Sequence, residues 1–409
     1  MRIAQISPLF VPVPPSDYGG TERIVYTLTE ELVKRGHEVT LFAAAGSTTS
    51  ARLLESAPEP LWDSGGSPLS WHAVEIERLI RRSGEFDVIH SHLDVVPWLG
   101  GERYQCPLVT TTHGRLDQVE QRVAFNEFPG WPLVSISDAQ RNPVRDLELR
   151  WIATVYHGLP LDEMYALGDG GGGYLAFVSR LSPEKGAEVA IEVAKRAGRK
   201  LVMAGPVPPE SADYFESEVK PLIDGDAVEY VGSLDDAGKN ELIGGAAGFL
   251  VPIQWDEPFG LAFIEALATG TPVISCPRGS LPELIESGRH GFLAGDEDEL
   301  VEACGRLGEV NREECRRYVL ERFSPERMAQ AYERVYAEVV RPYGLIARHR
   351  VMATSKQKTA AKRNLKKAST AAKKKRTITK LPKSTRTALG KQTNKVKKQK
   401  ASRSRCGLP

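Results

Sequence analysis

The stretch Trp255–Ile274 reads WDEPFGLAFIEALATGTPVI and predicts a turn, a helix and a buried strand in close succession. Pro258 cannot continue a preceding helix, and Gly260, expected in the first turn of the new helix, lets a ligand approach the backbone. The amino end of this helix offers unpaired amides and a positive dipole end, which suit a phosphate. Glu257 and Glu265 flank that point, and carboxylates bind sugar hydroxyls well. The stretch therefore predicts half of a sugar-nucleotide site.

Segments that read as strands alternate with segments that read as helices along the amino-terminal part of the chain. A helix after Gly19 and Gly20 carries apolar residues at helical spacing, with Thr21 expected as its cap. A second helix is predicted over Ala73–Arg82, and a third is expected to start within Ser137–Gln140. The predicted strands are Ile3–Ile6, Val39–Phe42, Phe86–His90, Leu108–Thr112, Leu133–Ile136 and Ile152–Tyr156.

The same alternation resumes in the carboxyl-terminal half. A helix with Pro183 at its first position is expected after the first strand, and the last helix is predicted over Pro325–Val340. Alternation of this kind favours an α/β fold in which helices cover both faces of parallel sheets, with ligands beyond the carboxyl ends of the strands. The predicted strands are Leu175–Val178, Lys200–Ala204, Val228–Val231, Gly248–Pro252, Val273–Cys276 and Phe292–Ala294.

A glycine-rich run separates the two alternations. It extends from Gly168 to Gly173, and its four consecutive glycines suit a hinge or a flexible tether. We therefore predict a first domain over 1–167, a linker over 168–173 and a second domain over 174–345. The last helix of the second domain is placed to pack back on the first. Two such domains imply a cleft between them.

Charge is divided unevenly along the chain. From Val351 to the end there are 20 Lys and Arg and no Asp or Glu, which leaves 34 basic against 53 acidic groups before it. The tail, 346–409, has too few large apolar residues to offset the entropy of ordering, so we expect it to be disordered. Three interpretations of it stay open: an extension without a partner, a segment that binds nucleic acid or an anionic membrane surface, and a segment that folds over the acidic body.

Composition limits the cellular locations that can be expected for the protein. No run of about 18 apolar residues is present, so no membrane span is predicted, and no signal peptide precedes the first strand. The five cysteines are scattered and match no zinc-site spacing. We expect a cytoplasmic protein, with peripheral contact at a membrane left open.

Several predicted strands end in residues that can do chemistry. Arg180 and Lys185 lie five apart across a strand-to-helix turn, so both can reach one phosphate, and each contact could contribute about 1.5–3 kcal/mol. His113 ends another strand, and the histidines expected to be structural are His37, His72 and His157. Taken singly, each residue has an ordinary explanation as a surface charge or a structural hydrogen bond. Their joint occurrence at strand ends favours a site.

These motifs resemble those of a known family. Glu257–Glu265 fits an E-x7-E motif in full, and Ser179–Gly186 is similar to a loop that binds the donor diphosphate. Tyr18–Glu22 is similar to the family's amino-terminal glycine turn, and Thr112–Gly114 to its first-domain histidine. Over roughly residues 1–345 the chain resembles the retaining GT-B glycosyltransferases of family 4. The tail departs from the pattern, and none of the motifs is specific for a sugar.

The resemblance implies two Rossmann-like domains facing a cleft, and transfer of a hexosyl group from a nucleotide-diphosphate sugar. The donor would be UDP- or GDP-linked rather than ADP-linked, and the acceptor would be a glycan, a lipid or a small molecule. No cofactor and no metal are expected, because fixed cations stabilise the leaving phosphate. Neither the sugar nor the oligomeric state is implied.

The resemblance also implies roles for individual residues. Arg180 and Lys185 would hold the diphosphate, and Glu257 and His113 would contact the donor sugar from opposite sides. These four are the implied catalytic residues, with Glu265 as the ligand of the ribose hydroxyls. The remaining binding residues would be Gly19 and Gly20 beside the diphosphate, and the amides of Phe259, Gly260 and Leu261.

Two other functions stay open at this point. A sugar-nucleotide epimerase on the same fold would need a catalytic pair and no acceptor, whereas the glycine turn and both phosphate motifs fit transfer better. A non-enzymatic sensor that binds polyanions through the tail would bind a sugar nucleotide without turning it over.

Overall fold

The structure is a computed structural model that describes residues 1–16, 19–62, 64 and 67–341. Within these residues the strands form two separate parallel sheets. The predicted α/β fold with two Rossmann-like domains is therefore confirmed. Tyr18 and the tail, with its predicted disorder and its possible partners, lie outside the described residues.

The first sheet has seven strands in the order β3-β2-β1-β4-β5-β6-β7, all parallel. Its strands are β1 (Arg2–Ile6), β2 (Glu38–Ala44), β3 (Arg52–Ala57), β4 (Val88–Ser91), β5 (Leu108–Thr111), β6 (Leu133–Ser135) and β7 (Trp151–Thr154). The helices of this part are α1 (Gly20–Lys34), α2 (Pro68–Arg82), α3 (Val119–Glu127) and α4 (Leu161–Met164). All six predicted strands are present, and β3 was not predicted.

The second sheet has six parallel strands in the order β10-β9-β8-β11-β12-β13. They are β8 (Leu175–Val178), β9 (Leu201–Ala204), β10 (Val228–Tyr230), β11 (Gly248–Leu250), β12 (Val273–Ser275) and β13 (Gly291–Leu293). Its helices are α5 (Ala187–Arg196), α6 (Ala212–Tyr214), α7 (Asp236–Gly245), α8 (Leu261–Ala268), α9 (Leu281–Leu284), α10 (Glu297–Gly305), α11 (Arg312–Arg322) and α12 (325–341).

Both sheets are buried on their two faces. All four residues of β4, β5, β8 and β9 are buried, as parallel strands between helical layers require. Each sheet reverses its strand order at one place, between β1 and β4 in the first and between β8 and β11 in the second. Loops diverge at such a point and leave a crevice at the carboxyl ends of the strands. The site residues follow these strands or their neighbours.

Three local predictions were wrong in detail. Helix α1 starts at Gly20, so Thr21 lies inside the helix and does not cap it. Gly19 is the capping residue with φ +154°, and a Cβ there would lie 2.8 Å from Pro15. Pro183 opens a single 3-10 turn that ends at Gly186, where φ is +68°, and α5 starts only after it. The segment after Ser137 is also a 3-10 turn, Ala139–Val144.

The glycine run is hydrogen-bonded to the second domain. The amides of Gly168, Gly170 and Gly172 donate to the carbonyls of Thr269, Gly244 and Gly245 at 2.9–3.1 Å. A Cβ at Gly168 would lie 2.1 Å from the Gly244 carbonyl oxygen, so the two backbones touch. In this conformation the run is held in place, and its role as a hinge stays a prediction.

Helix α12 lies on the first domain. Its Tyr332 and Tyr336 are fully buried, and Tyr336 accepts a hydrogen bond from the Gln5 side chain of β1. Glu333 pairs with Arg35 at 2.7 Å and with His37 at 2.9 Å at the end of α1. The chain therefore crosses between the domains twice, once after β7 and once after α11.

None of the helices in the described ranges is both long and apolar enough to cross a bilayer. Four of the five cysteines lie in those ranges as buried thiols outside any disulfide: Cys106, Cys276, Cys304 and Cys315.

Candidate active site

The centre of the site is an ion pair between Lys185 and Glu257. Their side chains are only 12% and 10% exposed, and Lys185 Nζ contacts Glu257 Oε2. The Trp255 indole donates to the same oxygen at 2.9 Å, and Lys185 Nζ lies 4.9 Å from the indole ring centre. The cation predicted to hold a phosphate and the carboxylate predicted to hold a sugar are thus direct neighbours. A ligand that enters here must share or break their contact.

Arg180 lies earlier in the same loop after β8. Its guanidinium donates to Glu184 at 3.0 Å, and its carbonyl accepts from the Ser182 amide. The Lys185 amide in turn donates to the Ser182 carbonyl at 3.0 Å, so both cations sit on one compact turn. Gly205 supports that turn from the loop after β9, since a Cβ there would lie 1.8 Å from the Ser179 carbonyl oxygen.

The amino end of α8 lies beside this pair. Gly260 caps the helix with φ +91°, one residue before its first turn rather than in it. Within the described residues, no protein atom accepts a hydrogen bond from the amides of Gly260, Leu261 and Ala262. These amides point along the helix axis toward its positive end and are available to an anion.

Glu265 lies within α8 and is 8% exposed, so it is not a surface residue. Its neighbour is Tyr165, and burial together with the nearby Glu265 carboxylate raises the pKa of that hydroxyl. Arg23 of α1 reaches the same region and pairs with Asp236 of α7 at 2.8 Å. The carboxylate predicted to bind ribose is therefore enclosed between the two domains.

Gly20 faces the second domain directly. A Cβ at this position would lie 3.5 Å from the Leu261 side chain. The glycine turn of the first domain and the start of α8 therefore meet across the cleft, and the approach of Gly20 to a diphosphate stays a prediction. A larger side chain at Gly20 would occupy the space in front of the α8 amides.

His113 belongs to a chain of buried hydrogen bonds. His113 Nε2 lies 2.8 Å from His92 Nδ1, and His92 Nε2 lies 2.9 Å from the Gln5 side-chain oxygen. The Gln5 amide nitrogen donates to Tyr336 of α12, whose hydroxyl lies 2.8 Å from His90 Nδ1. Because the Gln5 oxygen can only accept, His92 Nε2 carries the proton of that ring. His92 Nδ1 therefore accepts a hydrogen bond from the N–H of His113 Nε2.

This order of donors decides what His113 offers to a ligand. Its remaining nitrogen, Nδ1, is buried and makes no hydrogen bond within the described residues. With the proton on Nε2, Nδ1 is an acceptor, which suits a hydroxyl group and not a phosphate oxygen. The contact between His113 and a sugar stays a prediction, because Nδ1 has almost no accessible surface in this conformation.

Four histidines of this region are held neutral. Burial lowers the pKa of His90, His92 and His157, and lowers that of His113 to about 3. His157, expected from the sequence to be structural, stacks on His113 at 5.2 Å and contacts Phe259 at 4.7 Å. In the unfolded chain each histidine would titrate near pH 6.5. Below that pH the unfolded state takes up protons that the folded state refuses, so acidification destabilises the protein.

The variant His157→Phe tests this linkage. It keeps an aromatic ring against Phe259 and removes one histidine whose pKa is lowered on folding. Between pH 7.5 and 5 its free energy of unfolding should fall by about 2 kcal/mol less than that of the wild type. Urea unfolding at the two pH values measures the difference. Equal losses in both proteins would show that His157 is protonated in the folded state.

Polar contacts hold the second-domain loop against the first domain. Ser137 Oγ donates to the Pro258 carbonyl at 2.7 Å. The Glu283 carboxylate accepts from the amides of Asp138 and Ala139 and from the Tyr156 hydroxyl, at 2.7–2.9 Å. Sequence reasoning missed these contacts, because each joins residues that are far apart in the chain.

Arg115 was also missed. Its guanidinium lies 5.6 Å from the Trp255 ring centre, and Arg115 follows His113 by two residues on the loop after β5. The Trp255 ring thus lies within cation–π distance of Lys185 from its own domain and of Arg115 from the other. The sequence does contain a signal, since Arg115 directly follows the histidine motif Thr112–Gly114.

Within the described ranges, no group of three or more His, Cys, Asp or Glu side chains is arranged to hold a metal ion. The positive groups that the sequence predicted here are Arg180, Lys185 and the α8 amides, and Arg115 adds a further cation.

Comparison with known families agrees with this geometry. Residues 18–160 match the model for Glycosyltransferase Family 4, and residues 168–337 match the model for Glycosyl transferases group 1. Together the two matches take in most of the chain. The chain belongs to the family 4 glycosyltransferases. Membership of this family assigns the protein to the transferases, so the epimerase and the sensor are set aside.

Several characterised proteins are similar to this family 4 glycosyltransferase. A D-inositol 3-phosphate glycosyltransferase of Mycolicibacterium smegmatis is 26% identical over 350 residues, which cover 71% of this chain and 78% of that protein. The corresponding protein of Corynebacterium efficiens is also 26% identical, over 73% of this chain and 84% of its own length.

Solved structures share the fold. AviGT4, a glycosyltransferase of avilamycin A biosynthesis, is 25% identical with a TM-score of 0.62, over 83% of this chain and 98% of its own. Sucrose-phosphate synthase of Thermosynechococcus elongatus has a TM-score of 0.69 at 19% identity, over 82% and 98%. Anabaena HepE, solved with UDP-glucose, has a TM-score of 0.66 at 18% identity, over 83% and 100%. The GT-B architecture is thereby confirmed.

Proposed function

We propose that this glycosyltransferase moves a hexosyl group from a nucleotide-diphosphate sugar to an acceptor with retention of anomeric configuration. The observation that carries the proposal is the meeting of Lys185, Glu257 and the free α8 amides with Gly20 and His113 of the other domain. Groups that can bind an anion, on the second domain, and groups that can bind hydroxyls, on both domains, would then act on one ligand in the cleft. HepE, which has the same fold, was solved with UDP-glucose, which supports a donor of this class.

The diphosphate would lie between the α8 amides, Arg180 and Lys185. Positive groups placed there stabilise the charge that grows on the leaving phosphate as the glycosidic bond breaks. Glu257 would accept hydrogen bonds from donor-sugar hydroxyls, and His113 Nδ1 would accept another. Because Glu257 is already engaged by Lys185 and Trp255, it serves as a hydrogen-bond acceptor and not as a nucleophile.

The acceptor hydroxyl would attack the anomeric carbon on the face from which the phosphate departs. The leaving phosphate oxygen takes the proton of that hydroxyl, so one C–O bond forms as another breaks and no covalent enzyme intermediate arises. We propose that the fixed cations make a metal unnecessary. Transfer should then continue in the presence of EDTA.

Nucleotide binding gives the first test. Melting temperature should be measured with UDP, GDP and ADP and with their sugar conjugates, since a ligand at about 100 times its Kd adds about 2.7 kcal/mol of stability. We expect UDP or GDP compounds to raise it more than ADP compounds. The anomeric configuration of the product, followed by NMR, then tests retention. A protein that responds to none of these ligands would contradict the proposal.

Glu265→Ala should weaken nucleotide binding specifically. Loss of hydrogen bonds from a carboxylate to ribose hydroxyls costs about 1.5–3 kcal/mol, which is roughly 10- to 100-fold in Kd. Calorimetric titration with the preferred nucleotide measures it, and Glu192→Ala on the exposed side of α5 is the matched control. Unchanged affinity in Glu265→Ala would remove the ribose role.

The tail carries a separate proposal. We propose that residues 346–409 bind polyanions through their Lys and Arg side chains, with an affinity that falls steeply with salt. Binding of DNA and of anionic vesicles at two salt concentrations, with and without residues 351–409, separates this from an extension without a partner.

A further inference from the structure

A cavity of about 360 Å³ opens in the first domain next to Gly20 and His113. Loops after β1, β3, β4 and β5 and the first turn of α1 form its walls. Its lining includes two carboxylates, Glu22 and Asp94, and two aromatic residues, Phe10 and Trp62. Both Gly20 and His113 belong to the proposed donor site, so the cavity adjoins that site.

Glu22 is unusual among the lining residues. It is 6% exposed, and its carboxyl is hydrogen-bonded to its own backbone, with no ion pair to another described residue. Burial raises its pKa to about 7. A carboxyl has two oxygens that can accept several hydrogen bonds, so Glu22 keeps acceptor capacity at the cavity wall. A ligand that carries hydroxyls can use that capacity.

Asp94 lies in the same cavity on the loop after β4. Its Oδ2 accepts from the Gln121 side chain at 3.1 Å, and burial raises its pKa. No lysine or arginine is among the described residues that line the cavity. The two arginines nearest to it in sequence make ion pairs elsewhere, Arg23 with Asp236 and Arg115 with Asp117. The positions left undescribed within 1–341 are Asp17, Tyr18, Asp63, Gly65 and Gly66, and none of them is basic.

Trp62 gives an independent indication of a ligand. It lines the cavity and the residue is 60% exposed, and one of its contacts is edge-on with Phe10 at 6.2 Å between ring centres. An exposed aromatic face beside hydroxyl-binding carboxylates suits a sugar or cyclitol ring, whose C–H face is apolar and whose edge is polar.

We propose that this cavity binds the acceptor and selects a polyhydroxylated ring without a phosphate or carboxylate group. The inference rests on the proposed transferase function and adds the acceptor class to it. The similar proteins of Mycolicibacterium smegmatis and Corynebacterium efficiens are named for D-inositol 3-phosphate, a phosphorylated cyclitol. A phosphate in this cavity would meet two acidic side chains and, among the described lining residues, no lysine or arginine to offset the cost of burying its charge. The acceptor preference of this chain therefore differs from theirs.

Matched probes test the proposal. Saturation-transfer NMR on the nucleotide-loaded protein should compare myo-inositol with inositol 3-phosphate, and methyl glucoside with glucose 6-phosphate. We expect the neutral probe of at least one pair to give a signal. Its apparent affinity should be at least tenfold higher than that of its phosphorylated partner. Tighter binding of the phosphorylated partners, or no binding of either neutral probe, would overturn it.

Two variants locate the binding. Trp62→Ala should weaken binding of the neutral probe about tenfold. Leu99→Ala, at a similarly exposed apolar position outside the cavity lining, should not weaken it. Asp94→Asn removes an ionisable group with little change in shape. It should reduce the ratio of the affinities for the neutral and phosphorylated probes several-fold. An unchanged ratio and an unaffected Trp62 variant would place the acceptor elsewhere.

The proposed transferase function and the proposed acceptor class are contradicted by different results. If nucleotides do not raise the melting temperature, the proposed function fails. If nucleotides bind and the phosphorylated probes bind better than the neutral ones, only the acceptor inference fails.

Discussion

Transfer by the variant Lys185→Ala is expected to fall about 10²–10³-fold, because removal of one preorganised group at a developing negative charge has effects of this size. The transfer rate of Arg180→Ala should also fall, since Arg180 lies on the same turn after β8. Initial rates with saturating donor and acceptor measure both. Lys195→Ala on the exposed side of α5 is the matched control and should keep the wild-type rate.

Loss of Lys185 also has a cost to stability, which must be separated from its effect on rate. The buried Glu257 carboxylate would lose its cation, and breaking a buried pair from one side costs about 3–5 kcal/mol. The double variant Lys185→Ala with Glu257→Gln should recover part of that loss and none of the transfer. If the double variant regained activity along with stability, the diphosphate role of Lys185 would be refuted.

The variant Gly279→Ala should lose transfer about 10²-fold, although residue 279 need not touch a ligand. Gly279 has φ +56°, and a Cβ there would lie 2.3 Å from the backbone nitrogen and oxygen of Glu257. The next residue, Ser280, donates to the carbonyls of Glu257 and Phe259 at 2.9 and 2.6 Å. A side chain at 279 would therefore displace the loop that carries Glu257.

A second glycine separates displacement from backbone strain. Gly288 has φ +86° and open space around its Cβ position. Gly288→Ala pays only the left-handed penalty of about 1–2 kcal/mol, so its transfer rate should stay near that of the wild type. Rates and melting temperatures of the two variants are to be compared side by side. Equal activity in both would mean that Glu257 tolerates movement and is not positioned by Gly279.

The sequence predicted the sheets well because buried parallel strands leave a strong signal. Runs such as Leu175–Val178 are apolar throughout and flanked by turns. The missed strand β3, Arg52–Ala57, begins exposed and only half-buried, and it contains charges. An edge strand of this kind matches neither the continuous apolar pattern nor a clean alternation.

The candidate site was predicted as separate motifs and not as contacts. Lys185 and Glu257 were both identified, but their ion pair joins positions 72 residues apart and has no local signature. Ser137 also accepts a local hydrogen bond from the Gln140 amide at 3.0 Å, but its contact with Pro258 and those of Glu283 cross the cleft and have no local signature. The hydrogen-bond order that makes His113 Nδ1 an acceptor depends on Tyr336 of α12, near the far end of the described chain.

The double crossing between the domains has a mechanical consequence. The two connecting segments run side by side, since the Leu159 amide donates to the Phe323 carbonyl at 2.9 Å and Gly158 contacts Ser324. Paired segments act as one pivot, about which the domains can rotate with little change elsewhere. Rotation would separate most the pairs of residues that lie far from the pivot. These pairs include Gly20 with Leu261 and Arg23 with Asp236. Opening would therefore part the glycine turn from the α8 amides and admit the donor from that side.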